Sequence, residues 1–409
     1  MTFADFLNNP IQFIGDWLTQ VLTNWGLSDS LATILVYLVG ITVLIVFAMV
    51  LDIGLVWVER KVVARFQDRL GPNRIGPFGI FQPFADIIKL VIKEDITPAG
   101  ADKIIFNIAP VLAATSVIAL WAILPLASSI FGTDLNVALL YVVAAGALGT
   151  LAIIMGGWSS NNKYALIGAF RMVANMVSYE VPMVIILLIP TILADSMSLQ
   201  GIIEAQRGIW FALLSPLGFL IFFVCAIAEL GRTPFDLVEA ESELTAGFNV
   251  EYSGMKFGWF YASELLHAFT FGGFIAILFF GGYGGFFGLE KVSGFAWLTN
   301  PFIEAAVFIG KAMFGYWAIM WVKYTLPRIR IDHMLAFNWK FLVPLSLVVL
   351  VTTAILHKVL IVLPTWQYVL GMFASNLVIA SGTIEILRAE GRKRDRFSVQ
   401  PAKKQEQIS

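Results

Sequence analysis

Nine apolar runs, each long enough to cross a lipid bilayer, punctuate the chain at roughly 31–58, 104–126, 135–156, 173–194, 209–229, 258–280, 301–322, 341–363 and 366–387. A spanning helix needs about 20 apolar residues. With no water in the hydrocarbon core, a run of that kind must bond its own backbone, which makes it a helix. The ninth run is the most polar in its middle, "SNLVIASGT". Composition agrees: 58% of the residues are hydrophobic and 13% charged, about half the roughly 25% charge of an ordinary soluble domain. The expected fold is an all-α polytopic membrane protein of about nine transmembrane helices with additional amphipathic helices on one face.

Loop charge sets the expected orientation, because cytoplasmic loops hold an excess of Lys and Arg. The segments 59–103, 157–172, 230–257 and 323–340, together with the tail, carry 23 of the 27 basic residues. The opposite side holds Arg207 and Lys291, and Lys311 and Lys358 lie within spans. The N-terminus is therefore expected outside and the C-terminus in the cytoplasm, in a bacterial cell (inner) membrane. Residues 1–30 contain no Lys or Arg, so they lack the basic start of a cleaved signal peptide. They read instead as an outer interfacial segment, followed by a membrane domain over 31–388 and a basic cytoplasmic tail over 389–409.

The metal- and redox-binding residue types are scarce. One cysteine, Cys225, and three histidines, His267, His333 and His357, cannot supply a disulfide, an iron–sulfur cluster or a structural zinc site. His267 and His333 fall in separate segments, which argues against a bis-histidine haem. No site for a metal, FMN, haem or cluster is expected, so any redox centre must sit on a partner. The net charge of −1 gives no sign of nucleic-acid binding, and "GRKRDR" at 391–396 reads as a marker of the cytoplasmic face.

In the loop 59–103, Gly71, Pro72, Gly76, Pro77 and Gly79 break the chain into a tight turn. No GKS or GKT follows them, so this is not a nucleotide-binding loop. Phe81, Phe84, Ile88 and Val91 then recur at spacings of three and four, one helical stripe. The helix expected over 80–94 is too short to span and should lie in the headgroup region, with Asp86, Lys89 and Lys93 towards water.

Ionisable residues inside spans cost roughly 2.5–3.5 kcal/mol each on insertion scales, so they mark function or internal pairing. Glu180 precedes Pro182, whose ring should free the Ser178 carbonyl and leave a place for water or a proton. Glu264 is followed one turn later by His267, and Lys311 has Glu304 two turns before it, an arrangement that reads as an internal ion pair or as part of a polar path. The loop "AELGRTPFDLVEAESELTAGFNVEY", 228–252, adds six carboxylates to one arginine. Glu229, Glu239, Glu241, Glu243 and Glu251 belong to it. The expectation is one polar path from this loop into the membrane.

Four segments carry a family resemblance: "ERKVVARFQDRLGPNRIGPFGIFQPFADIIKLVIKED", "GWSSNNKYALIGAFRMVANMVSYE", "AELGRTPFDLVEAESELTAGFNVEYSGMKFG" and "LPRIRIDHMLAFNWKFLVPL". Together they resemble, in order, the quinone-site membrane subunit of respiratory complex I, the proton-translocating NADH:quinone oxidoreductase. The resemblance implies a subunit without a redox centre that forms the membrane part of the quinone channel, with ubiquinone or menaquinone as substrate. Peripheral-arm and other membrane-arm subunits would be its partners. Arg60, Arg65, Arg69, Asp86, Phe248, Glu251 and Arg330 would border the quinone chamber, and Glu180, Glu229, Glu239, Glu241, Glu243 and Glu264 would form the proton-coupling path. The chain departs from the family pattern at Ser263 and Leu265, which flank Glu264 where Ala and Tyr are usual, and at Ile331 and His333, where Tyr and Gln are common. Two other readings place acids in mid-membrane: a stand-alone proton-coupled transporter, disfavoured by the lack of internal repeats, and the equivalent subunit of a membrane-bound hydrogenase.

Overall fold

The structure, a computed structural model, describes residues 9–237, 247–284 and 297–406, with side chains as far as Ala389. All regular elements among these residues are helical. In chain order they are α1 (Pro10–Asn24), α2 (Asp29–Phe66), a single turn at Pro77–Gly79, α3 (Gln82–Ile92), α4 (Lys103–Trp121), α5 (Ala138–Ser159), α6 (Lys163–Ala194) and α7 (Leu199–Ala205). Then come α8 (Phe211–Leu214), α9 (Pro216–Glu229), α10 (Gly254–Phe279), α11 (Pro301–Thr325), α12 (Ile331–Leu360) and α13 (Thr365–Glu406).

Eight of these helices are long and apolar enough to cross a membrane: α2, α4, α5, α6, α10, α11, α12 and α13. The fifth apolar run differs from its expected form. Instead of one helix over 209–229 it is a single turn, α8, and then α9, a 14-residue helix. Ser215 between them is non-helical, with φ −137° and ψ 71°, because the ring of Pro216 disfavours helical geometry in the preceding residue. At 1.5 Å per residue α9 covers only ~21 Å, so Glu229 at its end lies at depth within the bundle rather than at a surface.

α10 is the central helix. Its apolar window is 78% buried, against 6% for α2, and it packs against α2, α3, α4 and α11. α10 and α11 meet almost backbone to backbone: a Cβ on Gly272 would lie 2.5 Å from the Ala312 carbonyl oxygen. Small residues at such crossings let dispersion contacts replace the hydrophobic drive that lipid does not supply. α2, at 38 residues, is ~57 Å long and outruns a hydrocarbon core of about 30 Å, so it must tilt or project.

The short helix that the periodicity predicts over 80–94 is present. α3 occupies 82–92 and leaves Phe84, Ile88, Val91 and Ile92 exposed in the isolated chain. It is wedged against α2 and α10. The turn before it is anchored by the Trp57 indole, which donates to the Phe78 carbonyl at 3.2 Å. Gly79 makes that turn possible, since with φ +78° a Cβ there would strike the Pro72 carbonyl at 2.2 Å.

The segment 247–252 enters a cleft between α4, α5 and α6. Phe248 and Tyr252 join Phe106, Met172, Met176 and Phe260 in a separate small core. Tyr252 stacks on Phe106 with ring centres 4.0 Å apart, and burial pushes its phenol up to about 12, so it stays a neutral donor to the Phe106 carbonyl.

Candidate functional site

Two cavities lie against α10 and share Tyr261 in their walls. The larger, about 960 Å³, is lined by Glu59, Arg60 and Val63 of α2, by residues 69–74 of the turn, by Gln82 of α3, by Tyr261 of α10, and by Lys323 and Tyr324 of α11. The smaller, about 70 Å³, lies between α4, α5, α6 and α10 and receives Glu229, Phe248, Tyr261, Glu264 and His267. It has room for a few water molecules.

The centre of the large cavity is Glu59. Its Oε1 accepts from the Lys323 ammonium at 2.9 Å and the Tyr324 hydroxyl at 2.6 Å. The carboxylate is only 5% exposed, and a buried ion survives when paired and hydrogen-bonded. Around it stand Arg60, whose guanidinium pairs with Asp86 at 2.7 Å, and Arg69, bonded to Gln67 at 2.7 Å. The cavity wall therefore presents four cations, Arg60, Arg69, Arg74 and Lys323, beside one carboxylate and the phenols of Tyr261 and Tyr324.

In the small cavity, Glu264 pairs with Arg232 at 3.2 Å. Arg232 is itself 3% exposed, held where the chain turns after α9, and close enough to Glu59 to act on that carboxylate as well. Among the described residues, Glu229 Oε2 and His267 Nε2 are buried without a hydrogen-bond partner. Buried polar atoms of that kind are usually met by ordered water, which the cavity can hold.

The expected site residues divide. Arg60 and Arg69 line the large cavity, and Asp86 reaches it through Arg60. Arg65, one position from the end of α2, is exposed and lines neither cavity. Phe248 walls the small cavity instead of the large one. Glu251 accepts from the Asn162 amide at 2.7 Å, and Arg330 is exposed and pairs with Asp332 at 3.3 Å; neither lines a cavity. Glu229 and Glu264 both line the small cavity. Glu180 is half-buried on α6, which packs along α9, but it is not in the wall of the small cavity. Glu239, Glu241 and Glu243 lie outside the described residues.

Two local expectations are corrected. The Ser178 carbonyl freed by Pro182 is not open to water: the Asn338 amide donates to it, while the neighbouring Tyr179 hydroxyl donates to the Met334 carbonyl at 3.0 Å. α6 is thereby stitched to α12 at the π turn Asn338–Leu342. Nor do Lys311 and Glu304 pair. The Lys311 ammonium donates to the carbonyls of Phe280, Gly282 and Gly284 at 2.9, 2.9 and 2.6 Å, and Glu304 accepts from the Ser128 N–H at 2.8 Å. Carbonyls of the chain just after α10 take the ammonium in place of a carboxylate that has found a backbone donor.

Glu59, Lys323, Tyr324, Arg232 and Tyr261 were not singled out by sequence reasoning, nor was Asp52, an acid 8% exposed in the middle of α2. Asp52 and Glu59 lie seven residues apart, on one face of the helix. A charge inside the first apolar run was the available signal.

Comparison with known proteins identifies the family. The family model described as NADH dehydrogenase matches residues 39–354. The H subunit of a NADH-quinone oxidoreductase from Dehalococcoides mccartyi (strain CBDB1) is 46% identical over 329 residues, 80% of this chain and 88% of the relative. The corresponding protein of Brevibacillus brevis is 40% identical over 83% of this chain and 96% of its own length, and that of Phocaeicola vulgatus 39% identical over 82% and 94%. α1 and α13 lie outside the matched region. With most of its length matched in this way, the chain belongs to the NADH dehydrogenase family, as a multi-pass membrane protein of the same type as these NADH-quinone oxidoreductase subunits.

Proposed function

We propose that this chain forms the membrane part of the quinone-binding channel of a proton-pumping NADH:quinone oxidoreductase and couples quinone reduction to proton translocation through its buried acids. The observation that carries the reading is a large cavity lined by cations that shares a wall residue, Tyr261, with a small cavity holding two acids, Glu229 and Glu264. A quinone taking up two electrons and two protons gathers negative charge on its oxygens. Arg60, Arg69 and Lys323 stand where they can offset that charge. Lys323, largely buried in its pair with Glu59, is more effective there than it would be in water. Glu264, paired with Arg232, and Glu229 beside it in the wall of the small cavity are buried groups able to exchange protons in response, and clustered carboxylates titrate as a set.

The electrons come from redox centres on peripheral-arm subunits, which dock on the loops 59–103, 157–172, 230–257 and 323–340, with the C-terminus on the same, cytoplasmic side. Glu239, Glu241 and Glu243 follow Glu229 in the same acidic stretch of sequence and belong to the proposed coupling set, and the quinone's apolar tail enters between α2, α10 and the exposed apolar face of α3.

The test is made in the intact complex. Glu264→Gln and Glu229→Gln keep shape and remove the titrating group, and should each lower NADH:quinone turnover and proton pumping together by about 10²-fold, the low end for a proton-transfer group. NADH oxidation by an artificial acceptor on the peripheral arm should be unchanged. Normal pumping and quinone reduction in both variants would leave the acids a structural role only.

A further inference from the structure

Among the described residues, one side chain belongs to the walls of both cavities: Tyr261. It stands on α10 three residues before Glu264 and six before His267, so the same stretch of helix carries the partition and the acid behind it. The large cavity that it walls is also lined by Glu59, Lys323 and Tyr324, and the small one by Glu229 and Glu264. Most of the remaining wall of the small cavity is apolar, contributed by Ala113, Val117, Ile153, Met172 and Phe260 among others.

We infer that the Tyr261 hydroxyl is the passage by which protons move between the small acid cavity and the large cavity. This rests on the reading of the two cavities given above and assigns to it a specific gate. A phenol suits the position because it both donates and accepts a hydrogen bond. A proton arriving from water beside Glu264 adds to the phenol oxygen as the phenol's own proton leaves to water or a base in the large cavity. Rotation about the C–O bond then restores the starting state. One proton has crossed, the tyrosine is unchanged, and no buried ion persists in the partition, where an isolated charge would be costly. When the ring's hydroxyl is turned away, the same side chain is a closed apolar wall. Arg232 is placed to set the traffic, since it pairs with Glu264 on one side and lies within electrostatic reach of Glu59 on the other.

The experiment compares Tyr261→Phe, Tyr261→His and Glu264→Gln in the purified complex, each normalised to NADH oxidation by an artificial acceptor. Tyr261→Phe keeps the wall and removes only the hydroxyl. The expected result is a fall of about tenfold in kcat for quinone reduction, water replacing part of the relay, with KM for a short-chain quinone unchanged and the solvent deuterium isotope effect increased. Tyr261→His, which restores a proton-carrying ring, should recover part of the rate. Normal turnover and pumping in Tyr261→Phe would overturn the assignment, and so would equal losses in both Tyr261 variants accompanied by a raised KM, which describe a wall. If Glu264→Gln is defective while Tyr261→Phe is normal, the coupling reading stands without this gate. If both are normal, the broader reading fails with it.

Discussion

At the scale of single residues, the buried ion pair of Glu59 and Lys323 is the most exacting feature. Both side chains are largely withdrawn from water, 6% and 15% exposed. Lys323→Met would leave Glu59 with the Tyr324 hydroxyl and a distant guanidinium, an uncompensated charge of the kind that costs roughly 3–5 kcal/mol. The expected outcome is a lowered thermal midpoint and a poorer yield of assembled complex. Adding Glu59→Gln to Lys323→Met should restore part of that loss, because the double variant buries no lone charge; a double variant as unstable as the single would show that the pair contributes packing rather than charge balance. Residues such as Glu264 and Glu229 were legible in the sequence because a charge inside an apolar run stands out. Glu59 was not, since it sits at the boundary of a run, where a carboxylate can equally face solvent.

At the scale of elements, helix existence followed from hydropathy, and helix interruption followed from proline chemistry that the apolar run concealed. The run 209–229 reads as continuous, yet Ser215 and Pro216 divide it and set Glu229 inside the bundle. The crossing of α10 and α11 is similarly a property of two elements. Gly272→Val should separate them, since even the first added carbon meets backbone at 2.5 Å. Overpacking of this order costs about 1–3 kcal/mol or more. Loss of membrane-arm assembly on native gels is the expected readout, whereas Gly310→Ala on α11, where a Cβ meets nothing within 4 Å, should be silent. For α3, Ile88→Glu with Ile92→Glu would put charge on its exposed apolar face. Activity with a long-tailed quinone should fall while a short-tailed analogue is still reduced. Equal loss with both would place the entrance elsewhere.

At the scale of the whole molecule, orientation is open to a direct measurement because the single native cysteine, Cys225, is buried. Gly208→Cys on the side with few basic residues and Gly391→Cys in the tail can be labelled separately with a membrane-impermeant thiol reagent. In right-side-out vesicles Gly208→Cys should react and Gly391→Cys should not, with the reverse pattern in inverted vesicles. The opposite result would turn the topology, and with it the docking face, over. What the sequence by itself determined was the solvent, the number of apolar segments and the amphipathic helix beside the turn, because hydropathy and helical period are local: a bilayer acts on each run of about 20 residues independently. Only the tertiary structure decided which acids share a cavity and which cations hold them. Glu59 and Lys323 are 264 positions apart, and Glu229, Arg232 and Glu264 meet only where the short α9 ends against the centre of α10. Contacts of that range depend on where helices cross, and crossings are set by the packing of small residues and the satisfaction of buried polar groups across many elements at once.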